Sequence, residues 1–394
     1  MIALFLAVPY LLVNAYLLRC LLHWLAACHE VFARWHLRGG VIALYLFLAL
    51  SPAIGFFLPT DGFGRGVRLI GNYWLGVLLY LVLLVPLSHL IGWLLRRRET
   101  TARLVTQRSF VLCGAVCVAV LLAVGIGGVV QAHTVRTTTY DVTVAKDGGS
   151  LDGLDVVLVS DLHMGYNFGQ RSLAATVDAI NAQEPDLVVL AGDLFDNAYD
   201  ALDDPAALAA ELRRVDSTYG VYACYGNHDI DEPILAGFTF GGGDGKHSDP
   251  RMDAWLADAG VVLLQDETVS LADGSFSLTG RRDARKPGGD GARLTAAELL
   301  DGLDHTKPLL VLDHEPSELH ELADAGADLI LSGHTHDGQM FPGTLLMPFL
   351  WENPCGWLRV GDAQSIVTSG VGVFGPNMRV GTRAEICAIH VTFS

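Results

Sequence analysis

Five short polar motifs follow one another after residue 160, and their side chains are of the types that bind metal ions. In order, they contain Asp161 and His163, Asp193 and Asp196, Asn227, His228 and Asp229, His314, and finally His334 and His336. Each motif alone is common, because a single Asp after a strand often only caps a helix. Together they offer imidazole, carboxylate and amide ligands without a thiolate. Such a set favours Mn, Fe or Zn in five- or six-fold coordination over a closed structural zinc site.

The set is larger than one metal ion needs. Two metal ions that lie about 3.5–4 Å apart and share a bridging carboxylate would use the whole set of ligands. Asp-x-His and His-x-His place alternate residues on one side of an extended segment, so both members of each pair are expected to face one site. The other histidines after residue 131 are scattered and are expected to be surface or packing residues: His133, His247, His305, His320 and His390.

Each motif comes at the end of a short apolar run that is typical of a buried strand. The strand candidates are residues 155–160, 187–191, 221–225, 309–312 and 329–332. An open α/β sheet gathers its ligands at the carboxyl ends of its strands. The sequence therefore predicts that the five motifs meet at such an edge.

Helix-like segments alternate with these strands, which predicts an α/β layered fold. The helix candidates are residues 172–183, 205–215, 251–259, 295–300 and 316–325. Four more strand-like stretches have no helix with them: residues 261–270, 276–281, 365–371 and 386–392. A mixed sheet, or two packed sheets with helices outside, is therefore expected.

In their order, the motifs resemble those of the calcineurin-like metallophosphoesterases, which carry D-x-H, G-D-x-x-D, G-N-H-D, an isolated His and G-H-x-H. The resemblance covers roughly residues 154–391. It is strongest to the membrane-anchored bacterial branch, in which Gly-Gly-Gln commonly follows G-H-T-H. Here Asp337 stands at the first of these positions, before Gly338 and Gln339. The departure adds a carboxylate beside the expected metals.

The resemblance implies a dinuclear site with divalent metals. One metal would be held by Asp161, His163 and His336, and the other by Asn227, His314 and His334. Asp193 would bridge the two. Mn is the favoured metal, with Fe and Zn as alternatives.

The resemblance also implies roles for the motif residues that bind no metal. His228 would contact the phosphate and protonate the leaving oxygen, and Asp229 would orient His228. Asp196 would either cap a helix or contact a metal ligand on the side away from the metal.

Composition places part of the chain in a membrane. Of 394 residues, 51% are hydrophobic and 18% charged, and the mean hydropathy is +0.37. Four nearly uncharged runs approach the ~20 residues of a membrane-spanning helix: residues 1–18, 39–58, 69–95 and 109–130. The first lacks the basic start and cleavage site of a signal peptide. We predict four transmembrane helices in residues 1–131, a linker and leading strand in 132–153, and the metallophosphoesterase domain in 154–394.

The arginines predict the orientation. The loops after the first and third predicted spans contain eight of the ten arginines found in residues 1–131. By the positive-inside rule these two loops are cytoplasmic. Both ends of the four-span region then lie outside, so the catalytic domain is expected to be extracytoplasmic in a multi-pass cell-membrane protein.

The two parts of the chain differ in charge. Residues 1–131 carry a net charge of +7. Because the net charge of the whole chain is −17, the remaining residues carry a net charge of −24. A surface this acidic argues against nucleic acid as a partner. Cys224, Cys355 and Cys387 lie in this acidic part, and three cysteines allow at most one internal disulfide.

These features predict an integral membrane phosphoester hydrolase. Residues 340–358 are strongly apolar and carry Glu352 as their acidic residue. They either pack on the domain's own sheet or meet acyl or prenyl chains, so a phospholipid or polyprenyl-linked phosphoester is the expected substrate. The alternatives are a pyrophosphohydrolase of a nucleotide-linked lipid, and a transporter or sensor whose domain only binds a metal or phosphate.

Overall fold

The computed structural model describes residues 2–235, 238–239, 247–286, 288 and 292–394. The chain divides into two compact units. The first contains Met1–Gly128 together with the short segments Ile234–Phe238 and Gly375–Asn377. The second contains Val129–Pro233, Thr239–Phe374 and Met378–Ser394.

The N-terminal part of the chain is helical. Its helices are α1 (Ile2–Cys28), α2 (Trp35–Phe57), α3 (Gly62–Arg96), α4 (Glu99–Ala102) and α5 (Gln107–Ala132). Four of them, α1, α2, α3 and α5, are long and apolar enough to cross a membrane. The structure therefore confirms the four predicted transmembrane helices, each somewhat longer than the apolar run that predicted it.

Polar groups within the first helices bond to each other. The Tyr45 hydroxyl donates to Asn14 Oδ1 at 3.1 Å, and Asn14 Nδ2 donates to the Tyr10 carbonyl at 2.9 Å. Asn14 therefore links α1 to α2, as small amides commonly do between membrane helices.

The remainder of the chain is mainly β-structure with short helices. The strands are β1 (Val135–Val144), β2 (Gly153–Val159), β3 (Leu187–Ala191), β4 (Val221–Cys224), β5 (Ile234–Leu235), β6 (Phe238–Thr239), β7 (Val261–Leu263), β8 (Glu267–Leu271), β9 (Phe276–Gly280), β10 (Leu309–Leu312), β11 (Leu329–Ser332), β12 (Gly356–Val360), β13 (Ala363–Val367) and β14 (Ala384–Phe393). The helices are α6 (Gln170–Asn181), α7 (Pro205–Leu212), α8 (Pro250–Asp258), α9 (Ala296–Leu300), α10 (Leu319–Asp324) and α11 (Met347–Leu350).

Side-chain caps determine where several of these helices begin. The Asp204 carboxylate accepts from the backbone of the first turn of α7, and Asp249 does the same for α8. Thr295 and Glu298 form a capping box at the start of α9. Such caps satisfy backbone N–H groups that have no partner inside the helix.

The described strands of the second unit form two six-stranded mixed sheets. The first has the order β1-β14-β2-β3-β4-β7, and the second has the order β12-β13-β11-β10-β9-β8. Within them, β2, β3 and β4 run parallel, as do β9, β10, β11 and β13. This architecture confirms the predicted α/β layered fold of mixed sheets flanked by helices.

The hydrophobic core has three layers. Between the sheets, Leu158 and Val189 pack with Leu310 and Leu331. Outside the first sheet, α6, α7 and α8 cover its other face, and α9 and α10 cover the second sheet. Strands buried on both faces read as continuous apolar runs, which explains why they stand out in the sequence.

Two details differ from the sequence prediction. The stretch 261–270 is two strands, β7 and β8, because the chain turns between them with Asp266 at φ 60°. Strand β12 begins within the apolar stretch 340–358, where no strand was expected. The sequence left a disulfide among Cys224, Cys355 and Cys387 open, and all three are free thiols.

Candidate metal centre

The five motifs follow directly, or within a few residues, the carboxyl ends of five strands. Asp161 follows β2, Asp193 follows β3 and Asn227 follows β4 in the first sheet, while His314 follows β10 and His334 follows β11 in the second. Two groups of side chains are close enough to hold a metal ion each. We name them the Asp161 cluster, formed by Asp161, His163 and His336, and the Asp193 cluster, formed by Asp193, His314 and His334.

The Asp161 cluster is fully enclosed by protein, since all three side chains are buried. His336 Nε2 lies 3.1 Å from His163 Nε2 and 3.2 Å from Asp161 Oδ1. The other carboxylate oxygen of Asp161 accepts from the Ser160 hydroxyl at 2.6 Å and from the His334 backbone N–H at 3.0 Å. Asp161 Oδ1 is therefore left to face the two imidazoles.

The Asp193 cluster is centred on His314. His314 Nε2 lies 3.1 Å from Asp193 Oδ2 and 3.2 Å from His334 Nδ1. The opposite ring nitrogen, Nδ1, donates to the Ala191 carbonyl at 2.8 Å. A carbonyl only accepts, so this bond leaves the lone pair of a neutral His314 on Nε2, directed at the cluster.

Asp193 reaches both clusters. Its Oδ2 lies 3.7 Å from His163 Nε2 in addition to its contact with His314. Its Oδ1 accepts from the His228 backbone N–H at 2.8 Å. One carboxylate oxygen thus lies between two sets of imidazoles, which is the geometry that a bridging ligand requires.

The donor set fits two divalent cations. Asp161 Oδ1 and Asn227 Oδ1 are buried without a hydrogen-bond partner, although buried polar atoms are normally paired. The Asn227 oxygen is thereby available as the amide ligand of the set. Close nitrogen–nitrogen and nitrogen–oxygen contacts of this kind become favourable when a cation lies among the lone pairs.

The protonation states of His163, His334 and Asp193 suit metal binding, whereas, against the effect of burial, Asp193 raises the pKa of His314 well above its usual range, so a metal ion would have to displace a proton there. Burial lowers the pKa of His163 to about 3, and burial together with His314 lowers the pKa of His334 to about 3. Burial alone would raise the pKa of Asp193, but the neighbouring His314 and His228 lower it well below its usual range. Neutral imidazoles and an ionised carboxylate are the forms that coordinate metals.

The local backbone corrects one sequence prediction. Asp-x-His and His-x-His were expected to lie on extended segments, but Asp161, His163, His334 and His336 have φ values of 55°, 45°, 71° and 49°. The left-handed conformation, rather than strand alternation, therefore places both members of each pair in one cluster. Such strained conformations concentrate at functional sites, where the surrounding structure holds them in place.

Two motif glycines leave room for the carboxylates. A Cβ at Gly226 would overlap Asp193 Oδ1, and a Cβ at Gly333 would overlap Asp161 Oδ2. Any side chain there would displace a cluster carboxylate. This requirement explains why glycine precedes the polar residues in both motifs.

His228 lies beside the clusters, but a different residue contacts its ring. His228 Nδ1 is hydrogen-bonded to Asn197 Oδ1, and the ring packs on Phe374 with the centroids 4.3 Å apart. The prediction that Asp229 orients His228 was wrong. The Asp229 carboxylate instead accepts from the backbone N–H groups of Phe195 and Gly226, at 2.8 and 2.7 Å, and so fixes the loops that carry Asp193 and Asn227.

The two remaining acidic positions also have defined surroundings. Asp196 does not cap a helix, since Asp204 caps α7; its Oδ1 lies 4.0 Å from His163 Nδ1, behind that ring. Asp337 belongs to neither cluster. Burial and the charge of Glu385 raise the pKa of Asp337.

Arg379 is a site residue that the sequence analysis missed. This fully buried side chain lies behind the Asp161 cluster, with Nη2 3.3 Å from His336 Nδ1. Nη2 also donates to the carbonyls of Ser369, Gly370 and Gly372 at 2.7, 3.0 and 2.7 Å. The same loop also contacts Asp161, because the Gly372 backbone N–H donates to the Asp161 carbonyl at 2.7 Å. Arg379 thus ties together the loop that backs this cluster.

Comparison with known proteins identifies the domain. The family model for the calcineurin-like phosphoesterase matches residues 154–338, the stretch that contains all five motifs. The chain is 28% identical over 368 residues to a protein of Danio rerio named "Transmembrane protein with metallophosphoesterase domain", covering 89% of this chain and 79% of the relative. A Bos taurus protein of the same name is 30% identical over 318 residues, covering 76% of this chain and 66% of the relative.

A bacterial relative is similar over much the same length. An uncharacterized metallophosphoesterase of Campylobacter jejuni is 26% identical over 317 residues, covering 80% of this chain and 78% of the relative. The similarity to this protein and to the two vertebrate proteins extends well beyond the 154–338 stretch.

Proposed function

Because this chain belongs to the calcineurin-like metallophosphoesterases, we propose that it hydrolyses a lipid or lipid-linked phosphoester at the outer face of the membrane, using a dinuclear metal site. The observation that carries the proposal is the meeting of the Asp161 and Asp193 clusters around one carboxylate oxygen, Asp193 Oδ2.

We assign the ligands as follows. Asp161, His163 and His336 would hold one cation, Asn227, His314 and His334 would hold the other, and Asp193 would be shared by both. Bound there, two divalent cations would lower the pKa of a water molecule and neutralise the phosphoryl oxygens during in-line attack. We propose Mn as the metal, since a mixed nitrogen and oxygen ligand set suits it.

His228 supplies the proton for the leaving group. Its Nδ1 faces the amide oxygen of Asn197, so Nδ1 carries the proton of that hydrogen bond. Nε2 is then the ring atom that contacts the phosphate: it takes up a second proton from solvent, and the resulting imidazolium transfers that proton to the leaving oxygen. Phe374, packed on the ring, limits its movement.

Two features support action on a membrane-borne substrate from outside. The arginine-rich loops after α1 and α3 favour a cytoplasmic location for those loops, which puts the end of α5 outside. Only His133 and Thr134 separate α5 from β1, a span of roughly 10 Å. The chain therefore enters the first strand of the phosphoesterase domain two residues after its last candidate membrane helix.

The sheet register brings the site to that same end of the domain. Val135, the first residue of β1, pairs with Ala384 at the start of β14. Strand β14 is antiparallel to β2, with Cys387 opposite Leu158, so β2 ends where β1 begins. Asp161 follows the end of β2. The metal ligands thus lie at the sheet end by which the chain leaves the membrane helix, which favours a substrate that arrives along the bilayer.

Hydrolysis of chromogenic phosphoesters tests the catalytic part of the proposal. Purified full-length protein with Mn should release p-nitrophenol from bis(p-nitrophenyl) phosphate or p-nitrophenyl phosphate, and a chelator should abolish release. His305→Ala, which changes an exposed histidine outside the five motifs, is the matched control for His314→Ala. Metal-independent turnover, or no turnover on either ester, would contradict the proposal.

Reporter fusions test the orientation. A reporter at the C terminus should behave as exported, and one inserted at residues 96–108 should behave as cytoplasmic. The reverse pattern would place the site in the cytoplasm.

A further inference from the structure

An apolar segment projects from the metal centre. It consists of residues 341–351 and carries no charged side chain. Of the domain's described large apolar side chains that are exposed, Phe341, Leu345, Leu346, Phe349 and Leu350 belong to this segment, while Val262, Leu294 and Trp357 lie elsewhere. Phe349 is 87% exposed and Leu350 66%. The surface of a soluble protein rarely has so many large apolar side chains exposed together, so we interpret the segment as an interaction surface.

Both ends of this segment contact residues that belong to the clusters or lie beside them. At its start, the Phe341 N–H donates to the Val380 carbonyl at 2.7 Å, next to Arg379. At its end, the Trp351 ring packs edge-on against His334, with the centroids 5.1 Å apart. Beyond it, Pro354 O accepts from the hydroxyl of Thr335, the residue between the two ligand histidines. The exposed middle of the segment is therefore held at both ends, beside the Asp193 cluster.

The sequence allows two alternatives for residues 340–358: packing on the domain's own sheet, or contact with lipid chains. The structure assigns the first alternative to the later part of the stretch and leaves the earlier part exposed. Asn353 is buried, and Leu358 packs against the core beneath α9 and α10, so the later part of the stretch packs against the domain. Leu345, Leu346, Phe349 and Leu350 do not, since each is more than half exposed.

We propose that the apolar segment, residues 341–351, inserts into the hydrocarbon edge of the bilayer and forms the surface along which the substrate's chains reach the Asp193 cluster. Three observations carry this inference. The segment is uncharged and exposed, the domain begins two residues after a membrane helix, and the metal ligands lie at the sheet end where that helix joins. Short apolar segments with aromatic residues enter the interface in this way.

The occupant is the lipid bilayer rather than a soluble partner. Because only two residues link α5 to β1, bilayer lipid is available to the domain at high effective concentration. A water-borne protein would have to compete with that lipid for the same leucine and phenylalanine side chains. The lipid-linked substrate in this inference rests on the proposed function, whereas the insertion itself does not.

Insertion can be measured without any activity. Phe349→Cys, in a background with Cys20, Cys28, Cys113, Cys117 and Cys355 replaced by Ala, is labelled with the fluorophore NBD and reconstituted into phosphatidylethanolamine–phosphatidylglycerol vesicles. The matched control is Glu267→Cys on β8, which is exposed and charged in the native protein. Cys224 and Cys387 are fully buried and can remain.

The NBD group at position 349 should emit at shorter wavelength in vesicles, and lipids carrying doxyl groups on their acyl chains should quench it. The same group at position 267 should emit as in water and remain unquenched. Water-like emission at position 349 would overturn the inference. Shielding without doxyl quenching, together with disulfide cross-linking of two unlabelled Phe349→Cys copies, would also overturn it, because a second copy would then cover the segment.

A kinetic comparison tests the delivery of substrate. Leu346→Ser with Phe349→Ser should raise the apparent KM for a phosphoester lipid in vesicles about tenfold or more, since two large apolar groups would no longer be buried. Turnover of bis(p-nitrophenyl) phosphate should remain within about twofold. Trp357→Ser, exposed on β12, is the control and should change neither. An equal loss of activity on the lipid and on bis(p-nitrophenyl) phosphate would contradict the inference. The proposal that the native protein is a phosphoester hydrolase would still stand.

Discussion

The Asp161 and Asp193 clusters share an edge of the fold but have different surroundings. All three side chains of the Asp161 cluster are buried, and Arg379 lies behind His336. In the Asp193 cluster, His334 is only partly buried and packs against Trp351, at the end of the exposed apolar segment. We infer that the first cluster mainly retains its metal, while the second is where the substrate arrives.

The largest expected effect comes from removing the group that joins the two clusters. Asp193→Ala should abolish turnover and lower the metal content of both clusters, because Asp193 Oδ2 lies near both His163 and His314. Metal analysis of the purified variant checks this result.

Asp204→Ala is the control for that experiment, since Asp204 is a carboxylate that only caps α7. It should keep both metals and full turnover, while the free energy of unfolding falls by about 1 kcal/mol. Retention of two metals and normal turnover in Asp193→Ala would show that the clusters are not joined through this residue.

His228 separates catalysis from metal retention. His228→Ala should keep both metals yet lose roughly 10²–10⁴ in kcat, the usual contribution of a general acid. Parallel kinetics and metal analysis check the split, with exposed His390→Ala as the control. If His228→Ala loses metal as Asp193→Ala does, His228 acts as a ligand and the assigned role is wrong.

Arg379→Met sharpens the difference between the clusters. It leaves the carbonyls of Ser369, Gly370 and Gly372 without their shared donor. We expect the unfolding free energy to fall by about 1–3 kcal/mol. We also expect the affinity of one metal equivalent to fall about 10–100-fold, the scale for outer partners of a ligand.

Metal titration followed by thermal unfolding measures both effects. The control is Arg359→Met, an exposed arginine on β12, which should change neither. Equal weakening of both equivalents would mean that Arg379 supports the whole site rather than the Asp161 cluster.

The smallest expected effect concerns the orientation of His228. Asn197→Ala removes the acceptor of His228 Nδ1 and should lower kcat about tenfold with both metals retained. Asn197→Asp also offers an oxygen there and should restore most of the rate. A similar loss in both variants would assign Asn197 a purely structural role.

The five motifs that carry the proposed ligands could be located from the sequence because each follows a buried apolar strand. Asp193 after β3 and His334 after β11 are examples, since strands buried on both faces leave a clear signal. Parallel pairing then brings their carboxyl ends together. The layered architecture and the position of the motifs therefore came from one pattern, whereas the proposed ligand assignment came from the family resemblance.

The supporting residues were not predictable in the same way. Arg379 lies in a glycine-containing loop after β13, outside any periodic segment, and its partners are backbone carbonyls that any sequence supplies. Asn197 directly follows the G-D-x-x-D motif, so its position was a weak signal. The left-handed φ of His163 and Asp161 was also hidden, because non-glycine residues seldom adopt it.

The central claim is that two metal ions share one carboxylate in this protein. Electron paramagnetic resonance of the full-length protein loaded with Mn, with the metal content measured on the same sample, tests it most directly. We expect two equivalents of Mn per chain and the spectrum of a spin-coupled pair, which Asp193→Ala should convert to that of isolated ions. One equivalent of Mn with an uncoupled six-line spectrum in the native protein would contradict the account.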